Sequence, residues 1–243
     1  MLFRSVQVDH VHKVIRGQEI IRDLNLRVRR GRIVALCGGN GAGKSTVLRM
    51  LAGIIRPTTG SITIGGLRWE THRRQYAEQI GYMPDDYRFT QGLTALETMA
   101  FWAGLKGLPK SRAREALAEV GLDHTGKKPL TSFSKGMRQR MLFAQAMLAK
   151  PPLVLMDEPT NGLDPFWMDT FVRLVRDAAD AGQTFVFSTH QWQIADALAD
   201  DMVFLQNGRV ELEGTAEDIR SRLGSTGLHD VFAKWFGIAR ARG

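Results

Sequence analysis

The chain has 243 residues, 33 of them Lys or Arg and 25 Asp or Glu, so it carries a net charge of +8 on an ordinary globular composition. No segment approaches the roughly 18 consecutive apolar residues that a membrane-spanning helix needs, and residues 1–10 lack the apolar core of a signal peptide. We therefore expect a cytoplasmic protein with no membrane span of its own, while the positive charge alone does not choose among nucleic acid, anionic lipid and nucleotide as partners.

Apolar periodicity and turn residues predict alternating strands and helices. Residues 1–30 predict short antiparallel strands with turns at Gly17 and Gly31. Between about residues 86 and 150 the pattern becomes helical, which predicts a helical subdomain inserted between core strands. The remaining predicted elements are, in chain order, a strand at 33–36, a helix at 45–51, a strand at 62–64, helices at 95–105, 111–120 and 136–148, a strand at 153–156, a helix at 166–179, a strand at 185–188, a helix at 193–198 and a hairpin of 202–205 with 209–212.

The single cysteine, Cys37, follows the first strongly apolar run. One cysteine can form no disulfide within the chain, which is typical of a reducing compartment. We expect Cys37 to be a small buried residue rather than a reactive thiol.

A glycine-rich loop lies between the first buried strand and the first helix. It reads Gly38-Gly39-Asn40-Gly41-Ala42-Gly43-Lys44-Ser45-Thr46 and matches the phosphate-loop pattern Gly-x-x-x-x-Gly-Lys-Ser/Thr. Glycines allow backbone N–H groups to surround a phosphate, and the helix N-terminus adds positive potential. We expect Lys44 to reach the β- and γ-phosphates and Ser45 to bind Mg²⁺. The alternative is an ordinary Gly-rich turn before a helix.

Two adjacent acids, Asp157 and Glu158, end the buried strand predicted at 153–156. On an extended strand they would point to opposite faces and could do different jobs. We expect Asp157 to hold Mg²⁺ through its water shell and Glu158 to act as the general base on the attacking water. The alternative is a solvated pair of acids at the start of the next helix.

The next residues, Pro159-Thr160-Asn161-Gly162-Leu163-Asp164, complete a recognisable segment. Residues 156–164 resemble the Walker B motif and D-loop of the ATP-binding subunit of ABC transporters, and the similarity runs from about residue 5 to 215. The resemblance to the bacterial exporter-like type comes from Lys135 and Met137, in the preceding segment 133–137. The resemblance implies an α/β fold, a P-loop NTPase (RecA-like) core with an N-terminal antiparallel β subdomain and an inserted helical subdomain. It places the ATP-binding domain at 1–215 and a C-terminal extension at 216–243.

The diagnostic signature of that family, Leu-Ser-Gly-Gly-Gln, is matched by Phe133-Ser134-Lys135-Gly136-Met137. The resemblance implies that Ser134 and Gly136 bind a nucleotide held by the phosphate loop of a second copy, with Asp164 at the seam between the copies. His190 then resembles the switch histidine that contacts the γ-phosphate. By themselves, Ser134 would be an ordinary helix N-cap and His190 a structural histidine.

The sequence departs from the family pattern at two positions that contact nucleotide or metal in the family. Ile15 stands where an aromatic residue often stacks on adenine, so it offers apolar contact without a π-face, and His12 is an alternative stacking residue. Asp85 stands where a glutamine is usual. Its carboxylate could still bind Mg²⁺, or it could be a solvated loop acid.

The implied partners are ATP with Mg²⁺, a second ATP-binding subunit and a separate transmembrane permease. Two identical subunits are favoured because both half-sites are present, and the permease would hold the protein on the inner face of the cell membrane. Tyr87 and Phe89 are the better candidates for permease contact, whereas Phe101 and Trp102 could equally pack within the helical subdomain. No nucleic acid partner is expected, although a soluble ABC-type ATPase acting on nucleic acid or ribosomes is the main alternative, ahead of a P-loop kinase or GTPase and a non-catalytic interaction module.

The C-terminal tail contains an apolar helical stripe formed by Phe232, Trp235 and Phe236, followed by Arg240 and Arg242. Such a stripe could rest on lipid or on a partner, or fold back onto its own domain.

Overall fold

The computed structural model describes residues 4–222, apart from residues 88, 90 and 91. The C-terminal stripe at Phe232–Phe236 therefore lies outside the described residues. The strands are β1 (Arg4–Ile15), β2 (Gln18–Arg29), β3 (Ile33–Cys37), β4 (Thr59–Ile64), β5 (Ile80–Met83), β6 (Leu153–Met156), β7 (Thr184–Thr189), β8 (Asp201–Gln206) and β9 (Arg209–Thr215). The α-helices are α1 (Lys44–Leu51), α2 (Arg73–Glu78), α3 (Ala95–Leu105), α4 (Lys110–Glu119), α5 (Lys135–Met147), α6 (Pro165–Asp180) and α7 (Trp192–Leu198), and residues 216–222 are also helical.

A six-stranded sheet forms the centre of the fold, in the order β5-β6-β7-β3-β8-β9. Its strands run parallel except for β9, which pairs antiparallel with β8. Every residue of β3, β6 and β7 is buried, as expected for parallel strands covered on both faces. The carboxyl ends of these three neighbouring strands meet at one edge, which is where open α/β sheets bind ligands.

A three-stranded antiparallel sheet, in the order β2-β1-β4, packs with α1 against one face of the central sheet. The strands predicted as short are 12 residues long in β1 and β2. The register between them shifts between Val8 and Val11, where His10 has a left-handed φ of 47°. Such irregularities interrupt the alternation of apolar residues, which is why the sequence pattern was weak.

The helical insertion lies between two strands that are neighbours in the sheet, β5 and β6. Its helices α3, α4 and α5 share a second buried core with α6 and α7 on the other face of the sheet. The architecture matches the predicted α/β class with its antiparallel and helical subdomains. The domain bounds at 1–215 and 216–243 stay predictions.

The sequence pattern missed several elements, among them α2, β5 and the helix at residues 216–222. Helix α2 buries one side chain, Tyr76, so it has little apolar periodicity. Strand β5 contains Gly81, where any Cβ would collide with the carbonyl oxygen of Ala146 on α5. Glycine is therefore required there by close packing, although it weakens the strand pattern.

Candidate active site

The glycine loop connects the end of β3 to the start of α1. Gly43 has a left-handed φ of 104°, and a Cβ there would lie 2.5 Å from Ile21 Cδ1. A Cβ on Gly38 would lie 2.6 Å from the carbonyl oxygen of Leu205. Glycine is thus required at both ends of the loop, by its left-handed backbone conformation at Gly43 and by close approach to a backbone carbonyl at Gly38. The preceding Cys37 is fully buried, and burial raises the pKa of its thiol, as expected for a structural residue.

Lys44 is the buried cation of this site, with 6% of its surface exposed. Its Nζ donates hydrogen bonds to the carbonyl oxygens of Gly38 at 2.7 Å and Gly39 at 3.3 Å. The same atom lies 3.4 Å from Glu158 Oε1. The phosphate loop and the acids after β6 are therefore joined by an ion pair within one chain.

Asp157 is almost completely buried and accepts two hydroxyl hydrogen bonds. Its Oδ1 accepts from Ser45 Oγ at 3.0 Å and from Ser188 Oγ at 2.7 Å. Ser188 Oγ also accepts a hydrogen bond of 2.8 Å from the backbone N–H of Glu158. Ser188, at the end of β7, thus links the two acids, a role that the sequence reading missed because it used this residue only as part of a strand.

Glu158 has a left-handed φ of 46° and lies beyond the end of β6. The expectation that the two acids alternate across an extended strand is therefore wrong. The turn instead brings Glu158 to Lys44 and Asp157 to the adjacent Ser45, both in the first turn of α1.

His190 follows β7 and contacts the same glutamate. Its Nδ1 lies 2.9 Å from Glu158 Oε2, and 45% of its side chain is exposed. Lys44 and His190 therefore approach different oxygens of one carboxylate, with the histidine on the open side of the site.

Ser134 of the signature and Asp164 of the D-loop lie at two exposed helix N-termini. Ser134 caps α5 by accepting a hydrogen bond from Met137 N at 3.2 Å, and Asp164 caps α6 by accepting one from Trp167 N at 2.9 Å. In the part of the chain that the structure describes, neither side chain is bonded to the phosphate loop. Gly136 does approach the D-loop, since a Cβ on it would lie 2.8 Å from the carbonyl oxygen of Gly162.

The two departures from the family pattern have different surroundings. Ile15, at the end of β1, is 40% exposed. Asp85 is exposed, and its Oδ1 accepts a hydrogen bond of 3.0 Å from Asn161 Nδ2. The roles of Ile15 in base contact and of Asp85 in metal binding stay predictions.

Four aromatic residues follow β5 or lie on α3. Tyr87, Phe89 and Trp102 form a ring cluster with centroids 5.0–6.4 Å apart. Trp102 and Phe89 are half-buried against the helical core, whereas Phe101 is 60% exposed. Of the two residues whose packing the sequence left open, Trp102 packs inward and Phe101 faces solvent.

Among the described residues, no helix combines the length and hydrophobicity that crossing a membrane requires.

Comparison with known proteins gives consistent matches. A family model described as ABC transporter matches residues 21–161. The daunorubicin/doxorubicin resistance ATP-binding protein DrrA of Streptomyces peucetius is 36% identical over 240 residues, covering 94% of this chain and 72% of that protein. A structure titled as the ATP-binding subunit of an ABC transporter matches with a TM-score of 0.86 and 32% identity, covering 95% of this chain and 98% of that one. The dimeric ATP-binding cassette MJ0796, in a post-hydrolysis state bound to ADP and Pi, matches with a TM-score of 0.81 and 25% identity over 87% of this chain and 98% of its own.

Proposed function

Because the chain belongs to the ABC transporter family as an ATP-binding subunit, we propose that it hydrolyses ATP with Glu158 as general base, at sites shared by two identical copies. The family resemblance, the P-loop NTPase fold class and ATP hydrolysis coupled to transport are confirmed. We propose the roles of the individual residues, the binding of Mg²⁺ and the identity of the partners. The observation that carries it is the convergence of Lys44 and His190 on the two oxygens of Glu158.

The phosphate loop binds the triphosphate. Backbone N–H groups of residues 38–46 and the N-terminus of α1 face its oxygens. A triphosphate offers Lys44 stronger acceptors than the two loop carbonyls that it bonds now. Turning Lys44 towards phosphate releases Glu158 Oε1, which can then accept a proton.

Ser45 and Asp157 fit a magnesium site. A hydroxyl and a carboxylate oxygen lie 3.0 Å apart beside the phosphate loop, and hard oxygen donors of this kind suit Mg²⁺, which takes one or two protein carboxylates together with phosphate oxygens. Bound there, Mg²⁺ supplies neutralisation of charge on the β- and γ-phosphate oxygens. Ser188 holds the Asp157 carboxylate in the orientation that this requires.

Glu158 and His190 act at the γ-phosphate. Glu158 accepts the proton of the attacking water, and its left-handed turn aims the carboxylate at the end of the phosphate loop. An ionised Glu158 can only accept a hydrogen bond, so His190 contributes through the tautomer that carries hydrogen on Nδ1, which holds the carboxylate in place at 2.9 Å. The rest of the ring, on the exposed side, is the part proposed to contact the γ-phosphate.

A second copy completes each site. Ser134 and Lys135 are exposed at the N-terminus of α5, and a helix N-terminus favours an anion. The γ-phosphate supplies that anion across the seam, and its loss on hydrolysis weakens the closed pair. The chain carries both halves, so two identical copies suffice.

Glu158→Gln tests the proposal. An amide cannot accept the proton, so we expect turnover to fall by about 100-fold to 10,000-fold, while ATP binding persists and the closed dimer accumulates. The measurements are steady-state ATPase activity, equilibrium ATP binding and the dimer fraction by light scattering. Glu211→Gln, on the exposed surface of β9, is the matched control. Unchanged hydrolysis in Glu158→Gln would refute the assignment.

We propose that ATP hydrolysis by this protein drives export through a separate permease. Several relatives are named for drug resistance, lantibiotic transport or bacitracin transport, and we extend export to this chain. The permease contact is proposed at a cleft of about 370 Å³ between the loop after β5 and α5, which Tyr87 and Arg138 help to line. This contact would place the protein on the inner face of the cell membrane.

Cross-linking locates the permease. Cys37 is buried, so Tyr87→Cys introduces a well-exposed thiol next to the cleft. We expect this variant to cross-link to a membrane protein in native membranes. Glu211→Cys lies on β9, at the opposite edge of the central sheet from β5, and should not cross-link. Equal cross-linking from both positions, or recovery of RNA instead of a membrane protein, would contradict the docking proposal.

A further inference from the structure

The segment that begins with the proposed base, Glu158, contains Asn161 three residues later. We call residues 158–164 the acid turn. The backbone N–H of Asn161 donates to the carbonyl oxygen of Glu158 at 3.1 Å, which closes the first part of this turn. A shift of Asn161 therefore moves the backbone that aims the Glu158 carboxylate.

Asp85 is held from two directions. Its carboxylate accepts the Asn161 amide at 3.0 Å, across 76 positions of sequence. Its backbone carbonyl accepts a hydrogen bond of 3.3 Å from Nε2 of Gln139, a residue of α5 that is 3% exposed. The loop after β5 thus joins the acid turn to α5, which we call the signature helix because Ser134 caps it.

The signature helix also touches the acid turn directly. Gly136 faces the carbonyl oxygen of Gly162 so closely that a Cβ would lie 2.8 Å from it, and a Cβ on Gly162 would lie 2.7 Å from Lys135 Cδ. The loop after β5, the start of α5 and the acid turn therefore meet at one junction. A displacement of α5 reaches Glu158 through two adjacent contacts, at Asn161 and at Gly162.

We propose that Asp85 is a positioning residue, whose carboxylate holds Asn161 and thereby sets the acid turn and Glu158, rather than a ligand of Mg²⁺. A carboxylate accepting an amide N–H forms a charge-assisted hydrogen bond, which is stronger than the neutral equivalent. The metal donors Ser45 and Asp157 already contact each other. Asp85 instead bonds to Asn161, three residues after Glu158 in the acid turn.

A double-mutant cycle tests this pairing. Asp85→Ala and Asn161→Ala each remove one partner, so each should lower kcat for ATP by about threefold to tenfold with little change in KM. The double variant should be no slower than the slower single variant, because both changes break one interaction. Asn161→Asp places two carboxylates together and should be slower still, whereas the swap Asp85→Asn with Asn161→Asp restores the pair and recovers most of kcat.

Magnesium dependence separates positioning from ligation. We expect the Mg²⁺ concentration for half-maximal binding of a non-hydrolysable ATP analogue to be unchanged in Asp85→Ala. Asp86→Ala, which removes a neighbouring charge from the same loop, should leave kcat unchanged, and thermal unfolding checks that every variant is folded. Additive losses in the cycle, no rescue by the swap, or a raised Mg²⁺ requirement confined to Asp85→Ala would each overturn the proposal.

This inference rests on the proposed role of Glu158, and the two can fail separately. If Glu158→Gln retains normal turnover, the proposed base is wrong. If Glu158→Gln is inactive but the Asp85–Asn161 cycle is additive, the positioning role alone is wrong.

Discussion

The two halves of the nucleotide site are built differently. The phosphate-loop half has buried charged groups that are bonded to one another: Lys44, Asp157 and Glu158 are buried, and together with Ser45 they contact one another or Ser188 within one chain. The signature half, with Ser134 and Asp164, consists of exposed caps that bond only to their own helices in the part of the chain that the structure describes. Under the proposed function, the first half binds phosphate within one copy, whereas the second half acts only when a second copy faces it.

This contrast separates binding from turnover. Changes in the buried half should abolish nucleotide binding or chemistry in each copy. Changes in the exposed half should spare binding to a single copy and affect the shared site.

Replacing Lys44 by Met should have the largest effect. Met keeps the volume but removes the buried cation between the loop carbonyls and Glu158. We expect ATP binding to weaken by about 1,000-fold, or roughly 4 kcal/mol, and turnover to fall to background. Equilibrium binding and ATPase assays measure this, with Lys106→Met at an exposed position as the control. Binding that weakens less than about tenfold would argue against a phosphate contact.

Ser134→Asp, in the exposed signature half, should have the next largest effect on turnover. Asp can still cap α5, but its charge would oppose the partner's γ-phosphate and lower turnover by roughly 30-fold to 100-fold. ATP binding to a single copy should be unchanged. Ser111→Asp, at an exposed position in α4, controls for the added charge.

Mixing the Lys44→Met and Ser134→Asp proteins tests whether each site combines the phosphate loop of one copy with the signature of the other. A mixed pair contains one doubly altered site and one fully intact site, so activity should rise well above that of either protein alone. About half of the pairs are mixed at equal concentrations if association is unbiased. Failure of any activity to return, in a mixture shown to exchange subunits, would mean that the site is completed within one chain.

Ser188→Ala should have a smaller effect on turnover and a clear effect on stability. It removes the hydroxyl that links Asp157 to the Glu158 backbone, leaving a buried N–H without its partner. We expect a loss of about 1–3 kcal/mol of unfolding free energy, seen as a fall in Tm of about 2–12 °C, and about a tenfold loss of kcat. Thermal unfolding of Ser111→Ala gives the baseline for an exposed serine.

Ile15→Phe should have the smallest effect. A ring on this 40% exposed position adds a stacking surface for the base, worth about 0.5–1.5 kcal/mol. ATP should then bind about twofold to tenfold more tightly, measured by Kd, and discrimination between ATP and GTP should change. No change for either nucleotide would mean that the base lies elsewhere, and His12→Phe is then the matched variant to examine.

Local signals accounted for much of the fold. The prediction of a helix at 95–105 has the same bounds as α3, because Thr94 and Glu97 form a capping box that defines its start. The apolar run at 153–156 also coincides with β6. Elements were not predicted where tertiary packing, rather than local preference, determines the residue. In β5, for example, glycine is required at position 81 by contact with α5.

The candidate site was partly accessible in the same way. Residues 38–46 form a continuous segment, so the glycines, the lysine and the hydroxyl could be read together. Ser188 and the Asp85–Asn161 pair could not, because their partners lie 31 and 76 positions away. The geometry of Glu158 was also misread, since nothing in a pair of acids indicates that the second has a left-handed backbone.

The amino-acid sequence is sufficient to specify a phosphate loop, a pair of acids, a signature segment and the alternation of strands and helices, because each depends on neighbouring residues and on backbone preferences. The strand order β5-β6-β7-β3 decides which of these segments meet. It brings the ends of three strands to one edge, so that Lys44 and His190 both contact the carboxylate of Glu158. It also brings Asp85 to Asn161 of the acid turn. Those contacts arise from the packing of parallel strands between two cores, which no local pattern along the chain encodes.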